Sequence, residues 1–196
     1  VVPNVPGIPQ DGGPAWSDAI IICPWTLYLA YGDRRILETT YAGMLRFMDF
    51  LRRTSPGHIR CAPEYEGWPG YGDWLSINAD TPRDLIGTAF FAYDASLMAK
   101  IAGVLGKQAD AENYQRQFEQ IKLAFKNRYL NGSLVTAEGE RPSASRKLMD
   151  DADAISRGNL AVAHYQTVAS EVFNTNLFKP TQTAYVLALH FDLLPN

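Results

Sequence analysis

Two kinds of helix alternate along this sequence, and that alternation constrains the fold more than any other feature. Residues 17–31 form an almost wholly apolar run around AIIICPWTLYLAY, with Pro24 either kinking the helix or marking a later start, and Gly32 placed to stop it. Residues 34–53 are amphipathic instead: Leu37, Tyr41, Met44, Met48 and Leu51 recur at steps of three and four, while Arg46, Asp49 and Arg52 lie off that face. A second apolar helix is expected to open at Thr81-Pro82-Arg83-Asp84, with the Thr hydroxyl capping and Pro at the first helical position, to bury Ile86, Phe90, Tyr93, Leu97, Ile101 and Val104, and to stop at Gly106. The next has Asp110 as its cap and buries Ala111, Tyr114, Phe118, Ile121, Phe125 and Tyr129, leaving Gln115, Arg116, Glu119 and Lys122 wet. A final helix, from near Thr181 to Pro195, buries Ala184, Leu187, Phe191 and Leu194.

The apolar helices share a local pattern near their starts: Asp18-Ala19-Ile20, Thr88-Ala89-Phe90 and Thr183-Ala184-Tyr185 each join a small polar residue, Ala and a large apolar one. Inner helices covered on every side, alternating with outer ones that are half wet, are what a closed double ring of helices demands. A plain helical solenoid gives a similar pattern. The lack of a fixed repeat length favours the ring. Between the helices lie three connections: the Pro- and Gly-rich start VVPNVPGIPQDGGP, the aromatic loop 54–78, and a polar stretch, 135–159, followed by a plausible helix at 160–173. Leu130-Asn131-Gly132-Ser133-Leu134 reads as a small hairpin turn.

At 196 residues the chain fits one domain or part of a larger one, and its 46% apolar content supplies a core. Net charge is −3, with 18 basic and 21 acidic residues mixed along the sequence and no basic run interleaved with aromatics. Neither nucleic acid nor an anionic membrane is the expected partner. The longest apolar stretch, 19–30, is too short to cross a bilayer, and no targeting segment opens the chain. Cys23 is expected to act as a small hydrophobe; one disulfide with Cys61 stays open, but no disulfide framework is implied. His58, His164 and His190 lack metal-ligand spacing, and there is no G-x-S-x-G, phosphate-binding glycine loop or Cys-x-x-Cys.

What survives is carboxylate chemistry. Asp11, Trp16 and Asp18 fall on one connection, and Glu64, Glu66, Trp68, Tyr71, Asp73 and Trp74 on another. Flat aromatic faces beside carboxylates suit a sugar, whose C–H surface packs on an indole while oxygens take its hydroxyls. Each feature has a plainer explanation: a helix cap with a packed indole for Trp16-Ser17-Asp18, solvated loop charge for Glu64 and Glu66, and turn chemistry for Gly72-Asp73-Trp74. Glycoside hydrolysis usually needs two carboxyl groups, and composition alone nominates Asp18 and Asp73.

The blocks Gly13-Pro14-Ala15-Trp16-Ser17-Asp18-Ala19, Pro24-Trp25-Thr26-Leu27-Tyr28 and Tyr31-Gly32-Asp33 resemble the catalytic domain of bacterial α-L-rhamnosidases, glycoside hydrolase family 78. Gly72-Asp73-Trp74-Leu75 and Thr181-Gln182-Thr183-Ala184-Tyr185-Val186-Leu187-Ala188-Leu189 agree, in the family's order. The resemblance implies an all-α fold, part of an (α/α)6 barrel of alternating inner and outer helices, spanning residues 1–196; it does not cover 135–176, which is expected to be an insertion or mobile segment. It implies inverting hydrolysis of terminal α-L-rhamnose from a rhamnose-containing glycoside, with no required cofactor and no metal. Trp16 and Trp74 match tryptophans that contact the sugar, and Asp18 and Asp73 stand behind them as orienting or structural acids.

The family's general acid lies in an Asp-Glu-Arg-x-Gly-Trp block and its general base in a Thr-Thr-x-x-Glu type block. Neither occurs in these 196 residues. The expectation is therefore a fragment of a rhamnosidase barrel, holding part of the sugar pocket, inactive alone, and prone to self-association or to pairing with the rest of the barrel. A fucosidase- or trehalase-like enzyme on the same barrel, or a non-enzymatic helical scaffold, are the alternatives.

Overall fold

The computed structural model describes residues 12–74, 76, 80–130, 173–174, 177 and 181–194. Five α-helices are present among them: α1 (Ala19–Tyr31), α2 (Arg35–Thr54), α3 (Arg83–Val104), α4 (Gln108–Tyr129) and α5 (Gln182–His190). A short 3-10 turn, Pro56–His58, follows α2. The fold is all-α, as expected, with α3 as its hub: α1, α2, α4 and α5 all pack on it.

The amphipathic helices follow their spacing. In α2 the buried residues are Leu37, Tyr41, Met44, Met48 and Leu51, the five that the period selects. In α4 Tyr114, Phe118, Ile121, Phe125 and Tyr129 are buried, and Gln115, Arg116 and Glu119 stay exposed. Lys122 departs from expectation. It is buried, with its Nζ donating to Asp192 Oδ2 at 2.8 Å beyond the end of α5. Asp110 does not cap α4, which begins at Gln108; its carboxylate accepts the Tyr41 hydroxyl at 2.8 Å and joins α4 to α2. Burial, with the charges of Asp110 and Asp49, pushes the nearby Tyr114 phenol up to about 12.

The apolar helix α3 has no single stripe. Leu85, Ala89, Phe91, Ala92, Ala95, Leu97, Met98, Ile101 and Ala102 are buried around its circumference, whereas Phe90, Tyr93 and Val104 are only half-buried. A helix packed by four neighbours buries every side, so a one-face reading of it fails. Its 22 residues are long and apolar enough to cross a bilayer, but most of that surface is spent inside this fold.

The helix α1 also differs from expectation. Pro24 sits inside it, buried, and only Ile21 and Pro24 are fully covered, while Leu27, Leu29 and Tyr31 are exposed. Cys23 is exposed rather than packed in the core, and no disulfide joins it to Cys61. Gly32 does end the helix in the left-handed conformation, φ 68°, its N–H donating to Tyr28 O.

At the far end Leu130 pairs with Phe173 in an antiparallel bridge, and the Asn174 N–H donates to Tyr129 O at 2.8 Å. The chain that leaves α4 is thus back beside it at residue 173. The expected turn at 131–134, the polar stretch 135–159 and the helix at 160–173 lie outside the described residues except for Phe173. α5 begins as expected, Thr181 Oγ1 accepting the Ala184 N–H at 3.2 Å. Ala184, Leu187, Phe191 and Leu194 are buried, although the last two lie past the helix end.

Candidate functional site

Two connections meet backbone to backbone at one end of the helices. Gly13, at φ 63°, and Gly70, at φ 90°, lie so close that a Cβ on Gly13 would overlap the Cα of Gly70, and a Cβ on Gly70 would come within 2.7 Å of Pro14 Cδ. Only glycine tolerates both the left-handed backbone and the contact. This junction brings the turn before α1 against the aromatic loop before α3.

The result is an aromatic cluster built from both connections. The rings of Trp16 and Trp74 stand 6.2 Å apart, with Tyr71 between them at 4.9 Å from the first and 5.0 Å from the second. Trp68 packs edge-on against Tyr71 at 4.6 Å. Trp16 is 38% exposed and Trp74 is 58% exposed, so two indoles sit side by side at the surface rather than in the core. Beside them is a cleft of about 380 Å³ lined by Tyr71, Gly72, Asp73, Asp80, Thr81, Pro82 and Arg83. Glu64 and Glu66 are exposed loop residues, and Asp11 lies outside the described residues.

The two aspartates occupy different surroundings. Asp18 is completely buried: its Oδ1 accepts Arg60 Nη1 at 2.5 Å and its Oδ2 accepts the Ala15 N–H at 2.7 Å. It does not cap α1 through its side chain; the carboxylate turns back to fasten the turn that carries Trp16. Ala15 needs this, because it holds a left-handed φ of 70° that costs a non-glycine residue about 1–2 kcal/mol. Arg60 Nη2 also donates to Ser17 Oγ at 3.1 Å, and Ser17 Oγ donates to Gly13 O at 2.6 Å. Burial pulls the Arg60 guanidinium down, but the charge and hydrogen bond of Asp18 outweigh it and the group is held more firmly protonated than usual.

Asp73 is half-buried at the aromatic rim. Its Oδ2 accepts the Thr81 hydroxyl at 2.8 Å, and Thr81 Oγ1 lies 2.5 Å from Thr181 Oγ1. A hydroxyl has one proton, so with Thr81 donating to Asp73 the proton between the two threonines comes from Thr181. A directed chain therefore runs from the Ala184 N–H at the start of α5 through Thr181 and Thr81 to Asp73. Thr81 does not spend its hydroxyl on capping α3, whose first residue is Arg83. The second oxygen, Asp73 Oδ1, accepts no hydrogen bond from the described residues.

Of the four residues expected at a site, Trp16, Asp73 and Trp74 come together at this rim and Asp18 lies beneath Trp16. Tyr71 was among the loop aromatics singled out, whereas Arg60, Thr81 and Thr181 went unrecognised as partners of the site. The signal for Arg60 was present: a lone cation in Ile59-Arg60-Cys61-Ala62, an otherwise apolar run. Among the described residues no group of three His, Cys, Asp or Glu is placed to hold a metal ion.

Alternating inner and outer helices, with loop aromatics and carboxylates gathered at one end, define a helical-hairpin domain of the glycosidase type, part of an (α/α)6 barrel. Residues 1–196 match the family model of the bacterial alpha-L-rhamnosidase 6 hairpin glycosidase domain, and the chain belongs to that family. An alpha-L-rhamnosidase of Streptomyces avermitilis is 40% identical over 120 residues, a match covering 61% of this chain and 11% of the relative. The crystal structure of Streptomyces avermitilis alpha-L-rhamnosidase complexed with L-rhamnose superposes with TM-score 0.63 and 32% identity, covering 94% of this chain and 13% of that one. The alpha-L-rhamnosidase from Dictyoglumus thermophilum superposes with TM-score 0.65 and 28% identity, covering 94% and 16%. This chain thus spans a small part of the proteins it resembles.

Proposed function

We propose that this chain supplies part of the sugar pocket of a glycosidase that removes terminal α-L-rhamnose from glycosides. The observation that carries the reading is the pair of exposed indoles, Trp16 and Trp74, 6.2 Å apart at one rim across Tyr71. A deoxyhexose has an apolar C–H face and a methyl group, and such surfaces pack on indole rings while carboxylates accept the hydroxyls. Asp73 Oδ1, which accepts no hydrogen bond from the described residues, is offered to a sugar hydroxyl. Asp18, with both oxygens engaged, orients the Trp16 turn. The S. avermitilis relative bound to L-rhamnose supports the choice of sugar.

The proposed reaction is an inverting two-carboxylate hydrolysis in which the general acid and base come from polypeptide other than these 196 residues. It uses no cofactor, nucleic acid or membrane. The stretch 135–176 is proposed as an insertion between α4 and α5, consistent with the Leu130–Phe173 bridge that brings the chain back to its point of departure.

Titrating the chain with L-rhamnose while following tryptophan fluorescence tests the site. A saturable change that disappears in Trp16→Ala and Trp74→Ala is expected, and no response to the sugar overturns the assignment. Incubated with an aryl α-L-rhamnoside, the chain alone is expected to release no phenol. Turnover that is lost on Asp73→Asn overturns the placement of both catalytic carboxylates outside it.

A further inference from the structure

Beneath the Trp16 turn lies a third acid that neither the rim nor the ion pair accounts for. Asp94, in the middle of α3, is completely buried, and its carboxyl faces Asp18 and Arg60. Neither of its oxygens has a hydrogen-bond donor among the described residues, and the neighbour it can bond is the Asp18 carboxylate, which it reaches only by supplying a proton itself. Two carboxylates and one guanidinium, all sealed from water, leave one negative charge uncompensated if both acids ionise. Burying an unpaired charge is so costly that a buried group takes or loses a proton instead.

The hydrogen bonds decide which acid is neutral. Asp18 accepts from Arg60 on one oxygen and from the Ala15 N–H on the other, so both of its oxygens already hold a donor. Asp94 has neither. Burial raises its affinity for a proton, the Asp18 charge and hydrogen bond raise it further, and the Arg60 charge opposes them without prevailing. The other titratable neighbours, Tyr93 beside it on α3 and Cys61 next to Arg60, bring no positive charge.

We propose that Asp94 is a positioning residue for the rhamnose-facing Trp16 turn, entering the Asp18–Arg60 pair from α3 as a neutral carboxylic acid that donates its proton to Asp18. The inference rests on the sugar-pocket reading for the meaning of the Trp16 turn, but the proton itself does not. The arrangement ties the central helix to the turn through one hydrogen: α3 holds Asp94, Asp94 holds Asp18, and Asp18 holds the strained Ala15 that precedes the indole. Asn at this position keeps a donor of similar size; an aliphatic residue keeps the bulk and loses the donor.

Two measurements on the full chain test this. Infrared difference spectroscopy at neutral pH is expected to show the carbonyl stretch of a protonated carboxyl in the wild type, lost in Asp94→Asn; a wild type without that band overturns the proposal, whatever the variants do. Fluorine NMR of the 5-fluorotryptophan chain, with the Trp16 resonance assigned by Trp16→Phe, is expected to give the same line in the wild type and Asp94→Asn and a displaced or broadened one in Asp94→Leu. An unmoved Trp16 line in a folded Asp94→Leu overturns the positioning role. Added L-rhamnose reports separately: if it moves no line in the wild type, the sugar reading fails while the proton and the turn are still read.

Discussion

The costs at this site concentrate on single side chains whose partners are sealed from water. Arg60 is the clearest case, because it is a loop residue with a 5% exposed side chain whose guanidinium neutralises a carboxylate that is fully buried. Removing one member of such a pair costs more than the pair contributes, since the survivor keeps its desolvation penalty and loses its compensation. Arg60→Met is expected to destabilise the chain by about 3–5 kcal/mol. Replacing both partners, Asp18→Leu with Arg60→Met, is expected to recover part of that loss because no charge is left stranded. Urea unfolding of the two single variants and the double variant measures it. If the double variant is less stable than the wild type by the sum of the two single effects, the two side chains act independently and the ion pair does not hold the Trp16 turn.

Between elements, the device that matters is the hydroxyl chain from α5 to the aromatic loop. Thr181 caps α5 and, through Thr81, reaches Asp73, so the start of one helix and the rim of the candidate pocket share a hydrogen-bond path. Thr181→Ala is expected to cost about 1 kcal/mol from the lost cap, seen as a lower urea midpoint. It is also expected to weaken rhamnose binding, because Thr81 then loses the donor that orients it toward Asp73; unchanged sugar affinity in the variant counts against the path. How far such features can be read in sequence depends on how local they are. The start of α5 near Thr181 and the whole buried face of α2 follow from residues within a turn or two, and both were legible. Thr81 also carries a cap's local signature, but its hydroxyl is claimed by partners 8 and 100 positions away, so the local rule assigned it wrongly. Lys122 failed for the same reason: a lysine on a wet-looking helix face is buried because Asp192, 70 positions on, comes to meet it. The stripe assigned to α3 failed because four packed neighbours erase the difference between its faces.

Across the whole molecule, the row of apolar helices is covered in its middle and open at its two sides. α3 is buried nearly all round, whereas α1 and α5, which both pack on it, expose Leu27, Leu29 and Tyr31 on the one hand and Val186 on the other. Alternation of apolar and amphipathic helices was visible in the sequence and favoured a closed ring over a solenoid, but it could not say which apolar helices would lie at an edge of the arc. That information is spatial, since α1 is by composition the more apolar helix and yet the less buried one. Tyr31 is 79% exposed and Leu29 is 64% exposed, values that suit a surface meant to be covered rather than one left to water. The chain on its own is therefore expected to self-associate, its sedimentation coefficient rising with concentration. Each buried leucine contributes about 1.5–3 kcal/mol to such contacts, so Leu27→Lys combined with Leu29→Lys is expected to return the chain to a monomer without lowering its urea midpoint. The unchanged midpoint separates a loss of association from a loss of fold. A wild-type chain that stays monomeric as concentration rises would mean that the open face of α1 does not drive association.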